Sequence, residues 1–242
     1  MVDGKPMIWK NEKVLFVGNS FTYRGGSEEN PMVPKYFYEL GLSLNIDISI
    51  DYVLKGSHSL TKFANVDDTY GKILDDKLKT NQYSYIILQE QSVTPINSYD
   101  NFYKAVGLLK DKIEKYQKDV KIYLYETWGF PELINNKTYK SIEEMENLLF
   151  NAYTKCKNEY KLNITYVGKA FTYLNNNYPD IKLYDDDLKH QSNIGSFLSA
   201  CCHLVNIFDI DIRKSNYVGE FDSVLAKTLK DTAYMITTKY KA

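Results

Sequence analysis

Apolar and polar positions follow two different periods along the chain. Five short apolar runs read as strands: Lys13–Gly18 (KVLFVG), Ile46–Leu54 (IDISIDYVL), Tyr83–Leu88 (YSYIIL), Val120–Tyr125 (VKIYLY) and Asn163–Val167 (NITYV). The first, third and fourth are nearly continuous in β-branched and aromatic residues, the pattern of strands covered on both faces. Ile46–Leu54 alternates apolar with polar instead, which predicts an edge strand. Between the runs the apolar spacing lengthens to three and four residues. Pro31–Leu42 opens on a proline suited to a first helical position. Tyr99–Gln117 sets Phe102, Val106, Leu109, Ile113 and Tyr116 on one stripe. Ser141–Tyr160 begins Ser-Ile-Glu-Glu, a capping-box pattern. Ser192–Phe208 carries Ile194, Phe197, Leu198, Cys201, Val205 and Phe208 on one face, and Ser223–Tyr240 closes the chain as a packing helix. Strand and helix alternate, which predicts an α/β protein with a parallel sheet covered by helices on both faces.

Composition narrows this picture. The chain has 242 residues, 44% hydrophobic and 25% charged, enough to bury a sizeable core. It shows no internal repeat and no linker rich in Pro, Gly or Ser, so residues 1–242 read as a single domain. The formal net charge is −1 and only two arginines are present, Arg24 and Arg213, which argues against a nucleic-acid surface. No apolar run reaches the 18 residues of a membrane span, and the stretch MVDGKPMIWKNEK lacks the apolar centre of a signal peptide. The chain as given therefore reads as cytoplasmic, although a secreted protein trimmed of its signal would look the same. Cys156, Cys201 and Cys202 are odd in number and two are adjacent, so they read as reduced, buried thiols.

In an open parallel sheet, ligands bind beyond the carboxyl ends of the strands. Those ends lead into Gly18-Asn19-Ser20-Phe21-Thr22, Lys55-Gly56-Ser57-His58, Gln89-Glu90-Gln91-Ser92 and Glu126-Thr127-Trp128-Gly129. Further on lies Asp185-Asp186-Asp187-Leu188-Lys189-His190. Asp187 and His190 stand three apart before a helix whose N-cap would be Ser192, so the carboxylate can orient the imidazole. An imidazole held that way can take the proton of a serine hydroxyl. Of the three histidines, His203 falls inside an apolar helix and reads as structural, while His58 has no acidic neighbour in sequence. Ser20 admits a plain reading as a helix cap, because Thr22 stands where a nucleophile elbow would have its second glycine. Trp128 could stack on a sugar ring or pack at the rim of the sheet. Glu90 and Glu126 could meet a polar substrate or be solvated strand ends. The acidic run with His190 could in principle hold a divalent cation, but no second histidine has ligand spacing, so neither metal nor cofactor is expected.

Taken together, Gly18-Asn19-Ser20-Phe21-Thr22 after an opening strand and Asp187-x-x-His190 within Leu183–Ala200 (LYDDDLKHQSNIGSFLSA) resemble the SGNH/GDSL hydrolase superfamily. The resemblance runs from Lys13 to about Phe208. It implies a flavodoxin-like three-layer α/β/α sandwich with a five-stranded parallel sheet in the order 2-1-3-4-5. It also implies Ser20 as nucleophile, His190 as general base and Asp187 as its orienting carboxylate. The oxyanion hole would comprise the backbone N–H groups of Ser20 and Gly56 and a side-chain amide. The family's Gly-x-Asn-Asp block is replaced here by Gln89-Glu90-Gln91-Ser92, which makes Gln91 the expected donor and Gln89 the alternative. Gln191 stands where related sequences often carry Pro, a departure expected to affect loop stiffness. The activity implied is that of a serine esterase, with an acetyl ester on a carbohydrate favoured and His58, Glu90 and Trp128 as candidate substrate contacts. A lipase- or thioesterase-type hydrolase of longer acyl chains, or a non-catalytic carbohydrate-binding relative, are the alternatives. The near-zero charge fits a small neutral ester as substrate, with neither nucleic acid nor membrane as partner; the oligomeric state is not legible.

Overall fold

The computed structural model describes residues 9–241 of the chain, so the leader reading of the first eight residues lies outside them. Five parallel strands form one sheet: β1 (Glu12–Gly18), β2 (Ile48–Leu54), β3 (Tyr85–Leu88), β4 (Lys121–Tyr125) and β5 (Asn163–Thr165). Their spatial order is β2-β1-β3-β4-β5. The helices in chain order are α1 (Ser20–Tyr23), α2 (Met32–Ser43), α3 (Leu60–Ala64), α4 (Thr69–Thr80), α5 (Thr94–Asn97) and α6 (Tyr99–Tyr116). They continue with α7 (Pro131–Asn135), α8 (Ile142–Tyr160), α9 (Val167–Asn177), α10 (Asn193–Phe208) and α11 (Ser223–Lys241).

The strand order follows from handedness and burial. The connection from β1 to β2 steps one way across the sheet and the later connections step the other way. With right-handed crossovers, α2 then covers one face and α4, α6 and α8 the opposite one. The last helices return to the first face, where α10 packs against α2, α9 and α11. β1 and β3 are buried from Val14 to Gly18 and from Tyr85 to Leu88, as their continuous apolar runs predict. β2 pairs only with β1 and keeps a mixed burial pattern, as expected of an edge.

Several boundaries move for identifiable reasons. Pro31 is the N-cap of α2 rather than its first residue, with ψ 134° that lies outside the helical region. Ser141 accepts the N–H of Glu144, completing the predicted N-terminus of α8. Val167 belongs to α9, so β5 is shorter than its apolar run. The pattern missed α4, whose buried side consists only of Gly71, Leu74 and Leu78 within a run of charged residues. Its start is fixed by Asp68, whose carboxylate accepts the N–H groups of Tyr70 and Gly71 at 2.8 and 3.1 Å. Helix α10 is buried from Gly195 to Phe208 on every side rather than along one stripe, because α2, α9 and α11 enclose it. The three cysteines are free and buried. No described helix is long and apolar enough to cross a membrane.

Candidate active site

The end of β1 turns into α1 within two residues, and neighbouring loops fix that turn. Asn19 is the N-cap: its Oδ1 accepts the N–H of Phe21 (3.1 Å), while its Nδ2 donates to the His58 carbonyl (2.8 Å). Lys55 N–H donates to the Gly18 carbonyl at 3.0 Å, tying the loop after β2 to the same turn. Gln89, wholly buried at the end of β3, accepts the Asn19 N–H (2.8 Å) and the Thr22 hydroxyl (3.0 Å) on one oxygen. That oxygen lies 2.6 Å from where a Cβ on Gly18 would stand, so only glycine fits there. Thr22, which breaks the elbow pattern, is thus a partner of Gln89. Ser20 opens α1, and its N–H donates to no partner among the described residues.

The histidine arrives on a clamped loop. Tyr184 and Gln191 form an antiparallel bridge, Asp185 N–H donates to the His190 carbonyl (2.8 Å), and Leu188 takes a left-handed conformation at φ 57°. His190 Nδ1 lies 2.6 Å from Asp187 Oδ2, and His190 Nε2 lies 2.8 Å from Ser20 Oγ. Burial alone would raise the Asp187 carboxyl. The hydrogen bonds from the His190 ring and from the N–H groups of His190 and Lys189 outweigh it and hold the pKa below the usual range. The arrangement is therefore an ionised carboxylate, an imidazole and a hydroxyl in sequence, able to pass a proton from Ser20 Oγ to His190 Nε2. Gln191, expected to matter for loop stiffness, is buried, and its Nε2 donates to the Ser20 carbonyl at 3.2 Å. A cavity of about 510 Å³ opens beside Ser20 and His190, with Gly56, Ser57, Gln91 and Ser92 on its wall.

The structure rearranges the other expected roles. Gly56 reaches the cavity wall, but its N–H donates to Glu28 Oε1 at 2.9 Å, a carboxylate also 3.3 Å from Lys55 Nζ. Burial would raise the Glu28 carboxyl, but the Gly56 N–H and Lys55 outweigh it and lower the pKa. Gln91 lines the cavity; its Oε1 accepts from the N–H of Val93 (3.3 Å) and from the hydroxyl of Thr94 (3.0 Å), and its Nε2 donates to Ser92 Oγ at 3.1 Å. Gln89, the alternative donor, is committed elsewhere: its Nε2 donates to the Glu90 carbonyl at 2.5 Å, so its amide braces the nucleophile turn rather than facing the cavity.

None of the three candidate substrate contacts lies on the cavity wall. Glu90 is fully buried and braces two loops, its Oε1 accepting the N–H groups of Leu60 (3.1 Å) and Gln91 (2.6 Å). Trp128 is also fully buried, stacked between Phe21 (centroids 4.7 Å) and Phe171 (4.3 Å), and its Nε1 donates to the Lys189 carbonyl at 3.1 Å. It holds the histidine loop from behind. The His58 ring packs on Phe63 and Tyr70, with Nε2 3.3 Å from Asp68, an acidic neighbour that sequence distance concealed. Glu126 is buried beside Glu146 and Lys169 rather than solvated, and burial together with the Glu146 charge raises its carboxyl well above the usual range. His203 is enclosed, its ring 4.3 Å from Tyr125 and 5.9 Å from Phe16, and burial lowers its pKa to about 3. Asp185 pairs with Arg24 at 2.9 Å. Among the described residues no three His, Cys, Asp or Glu side chains come together as a metal-holding group.

Asn19 and Gln191 are the residues sequence reasoning left out of the site. Asn before a short helix is a capping signal that could have flagged the first; the second was marked only as a departure from Pro, read as a matter of loop stiffness.

The all-parallel strand order β2-β1-β3-β4-β5 is that of the SGNH/GDSL hydrolase fold. A DUF4886 family protein from Bacteroides uniformis superposes with a TM-score of 0.81 at 20% identity, covering 96% of this chain and 97% of that one. A protein from Slackia heliotrinireducens assigned to the SGNH hydrolases gives 0.67 at 19% identity, over 82% and 100% of the two chains. An acetylxylan esterase from Geobacillus stearothermophilus gives 0.60 at 14% identity, over 83% and 95%. At these identities the likeness is one of fold. No family model matches the sequence, and no curated protein matches it.

Proposed function

We propose that this protein is a serine esterase that cleaves a short acyl ester, acetyl foremost, from a carbohydrate. The observation that carries the reading is the continuous contact from Asp187 Oδ2 to His190 (2.6 Å) and from His190 Nε2 to Ser20 Oγ (2.8 Å) at a cavity wall. In this reading His190 takes the Ser20 proton as Oγ attacks the ester carbonyl carbon. Asp187 holds the imidazole and stabilises the imidazolium that forms. The negative charge on the former carbonyl oxygen is met by the free N–H of Ser20 and the Gln91 amide. The Gly56 N–H stands on the same wall with its hydrogen bond given to Glu28. His190 then gives its proton to the departing alkoxide, leaving an acyl-Ser20 ester. A water molecule, deprotonated by His190, attacks that ester and restores the hydroxyl.

The cavity supports a short acyl group. Among the described residues its wall contains hydroxyl, amide and cationic side chains with Phe21 and Tyr23, and no aliphatic side chain that would line a tunnel for a long chain. The acetylxylan esterase of the same fold supports acetyl on a sugar. Turnover of 4-nitrophenyl acetate, butyrate and octanoate tests the reading: acetate is expected to be cleaved fastest, and Ser20→Ala is expected to abolish all three. An octanoate preference would favour a lipase-type enzyme, and a Ser20→Ala variant of full activity would refute the serine mechanism.

A further inference from the structure

The cavity beside Ser20 carries a charge bias. Among the described residues its wall includes Arg24 and Lys189 and no carboxylate. Of the nearby acids, Asp187 is committed to His190 at 2.6 Å and Glu28 to the Gly56 N–H and Lys55, while Asp185 pairs with Arg24 itself at 2.9 Å and offsets part of its charge. The two cations are not fully used. Arg24 meets Asp185 through Nε alone, and its two Nη groups have no hydrogen-bond partner among the described residues. Lys189 Nζ meets no carboxylate there either and lies 5.6 Å from the centroid of the Phe130 ring.

Both cations are tied to the reacting atoms by the chain itself. Arg24 caps the helix that Ser20 begins, and its N–H donates to the Ser20 carbonyl at 2.9 Å. Lys189 precedes His190, its N–H held by Asp187 and its carbonyl by Trp128. Both residues line the cavity into which Ser20 and His190 open.

Resting on the esterase reading, we propose that the substrate is the acyl ester of a carboxylate-bearing molecule, an acidic sugar in the carbohydrate case. Its carboxylate is held by Arg24 Nη and Lys189 Nζ. A guanidinium fork and an ammonium differ in kind: the first fixes the carboxylate plane, the second adds charge without fixing direction. The hydroxyls of Ser57 and Ser92 are left to meet the neutral hydroxyls of the sugar. A chain whose charges sum to −1 can still present a locally positive wall, so the neutral ester expected from net charge gives way to an anionic one.

The test uses the full chain and matched pairs of methyl glucuronosides and methyl glucosides, each acetylated at one ring hydroxyl in turn. The expected result is a kcat/KM at least about tenfold higher for the acidic member of the best pair at low ionic strength, shrinking as salt screens the contact. Lys189→Glu is expected to reverse the preference, and Arg24→Gln to reduce it. Equal kcat/KM for acid and neutral esters in the wild-type protein, or an acid preference that survives Lys189→Glu, would overturn the proposal. Labelling by a fluorophosphonate separates the two levels. A labelled Ser20 without acid preference defeats this proposal alone, whereas an unlabelled Ser20 with no ester cleaved defeats the esterase reading and this proposal with it.

Discussion

Replacing Glu90 by Gln gives a prediction whose size can be worked from the structure. The carboxyl lies at the end of β3 with no exposed surface; Oε1 accepts two backbone N–H groups and Oε2 has no partner among the described residues. Burial raises its pKa from 4.5 to about 7, against the lowering effect of the Gln91 and Leu60 N–H groups. Between those values the folded protein holds a proton that the unfolded chain has lost. The stability this contributes is complete below about 4.5 and is lost as the pH rises through about 7. At 1.36 kcal/mol for each pH unit, the interval corresponds to about 3 kcal/mol, an order-of-magnitude figure. Glu90→Gln keeps a carbonyl oxygen for both N–H donors and cannot ionise. In urea denaturation from about pH 4 to 8, the wild-type protein is expected to lose about 3 kcal/mol relative to the variant. Other titrating groups cancel in that difference. Parallel stability curves would refute the reasoning, because they would mean that Glu90 titrates as it does in water and is not the buried brace described here.

Other substitutions address the site directly. Asp187→Asn should lower kcat by about 10⁴-fold with little change in KM, since the amide neither fixes the imidazole tautomer nor stabilises its cation; a loss below tenfold on 4-nitrophenyl acetate would refute the orienting role. Gln91→Ala should cost about 100- to 1,000-fold in kcat, with a smaller loss of stability than Gln89→Ala because its hydrogen bonds are only partly buried. Gln89→Ala, which removes three buried hydrogen bonds, should lower stability by roughly 2–4 kcal/mol in urea denaturation; the opposite assignment of effects would exchange the roles of the two amides. His203→Leu should retain catalytic turnover and be neutral or stabilising, because it deletes two buried ring nitrogens without partners among the described residues; a collapse in kcat would contradict the claim that His190 carries the proton.

The parts of the fold legible in the sequence were those in which one physical requirement dominates. Continuous apolar runs marked β1, β3 and β4, and Ser141 and Ser192 began their helices as caps because each hydroxyl had an N–H three residues on to accept. Helix α4 was hidden, since a solvated helix with two buried leucines has little periodic signal. The contact of Asp187 with His190 was legible from their spacing, and Ser20, ambiguous by position alone, was marked out by the family resemblance. What the spacing could not reveal was which polar side chains turn inward. Glu90, Trp128 and Gln89 stand at strand ends, where exposure is the usual outcome, yet here they are buried and hold other loops in place. Glu28 and Gly56 are 28 positions apart, and their contact depends on how two loops meet rather than on either local pattern.

Reaction of the full chain with a fluorophosphonate, followed by mapping of the modified peptide, tests the central claim most directly. The account predicts one adduct, on Ser20, formed in the wild-type protein, absent from Ser20→Ala and strongly slowed in a His190→Ala variant that remains folded. Labelling at another residue, or no labelling of a folded wild-type protein, would contradict it.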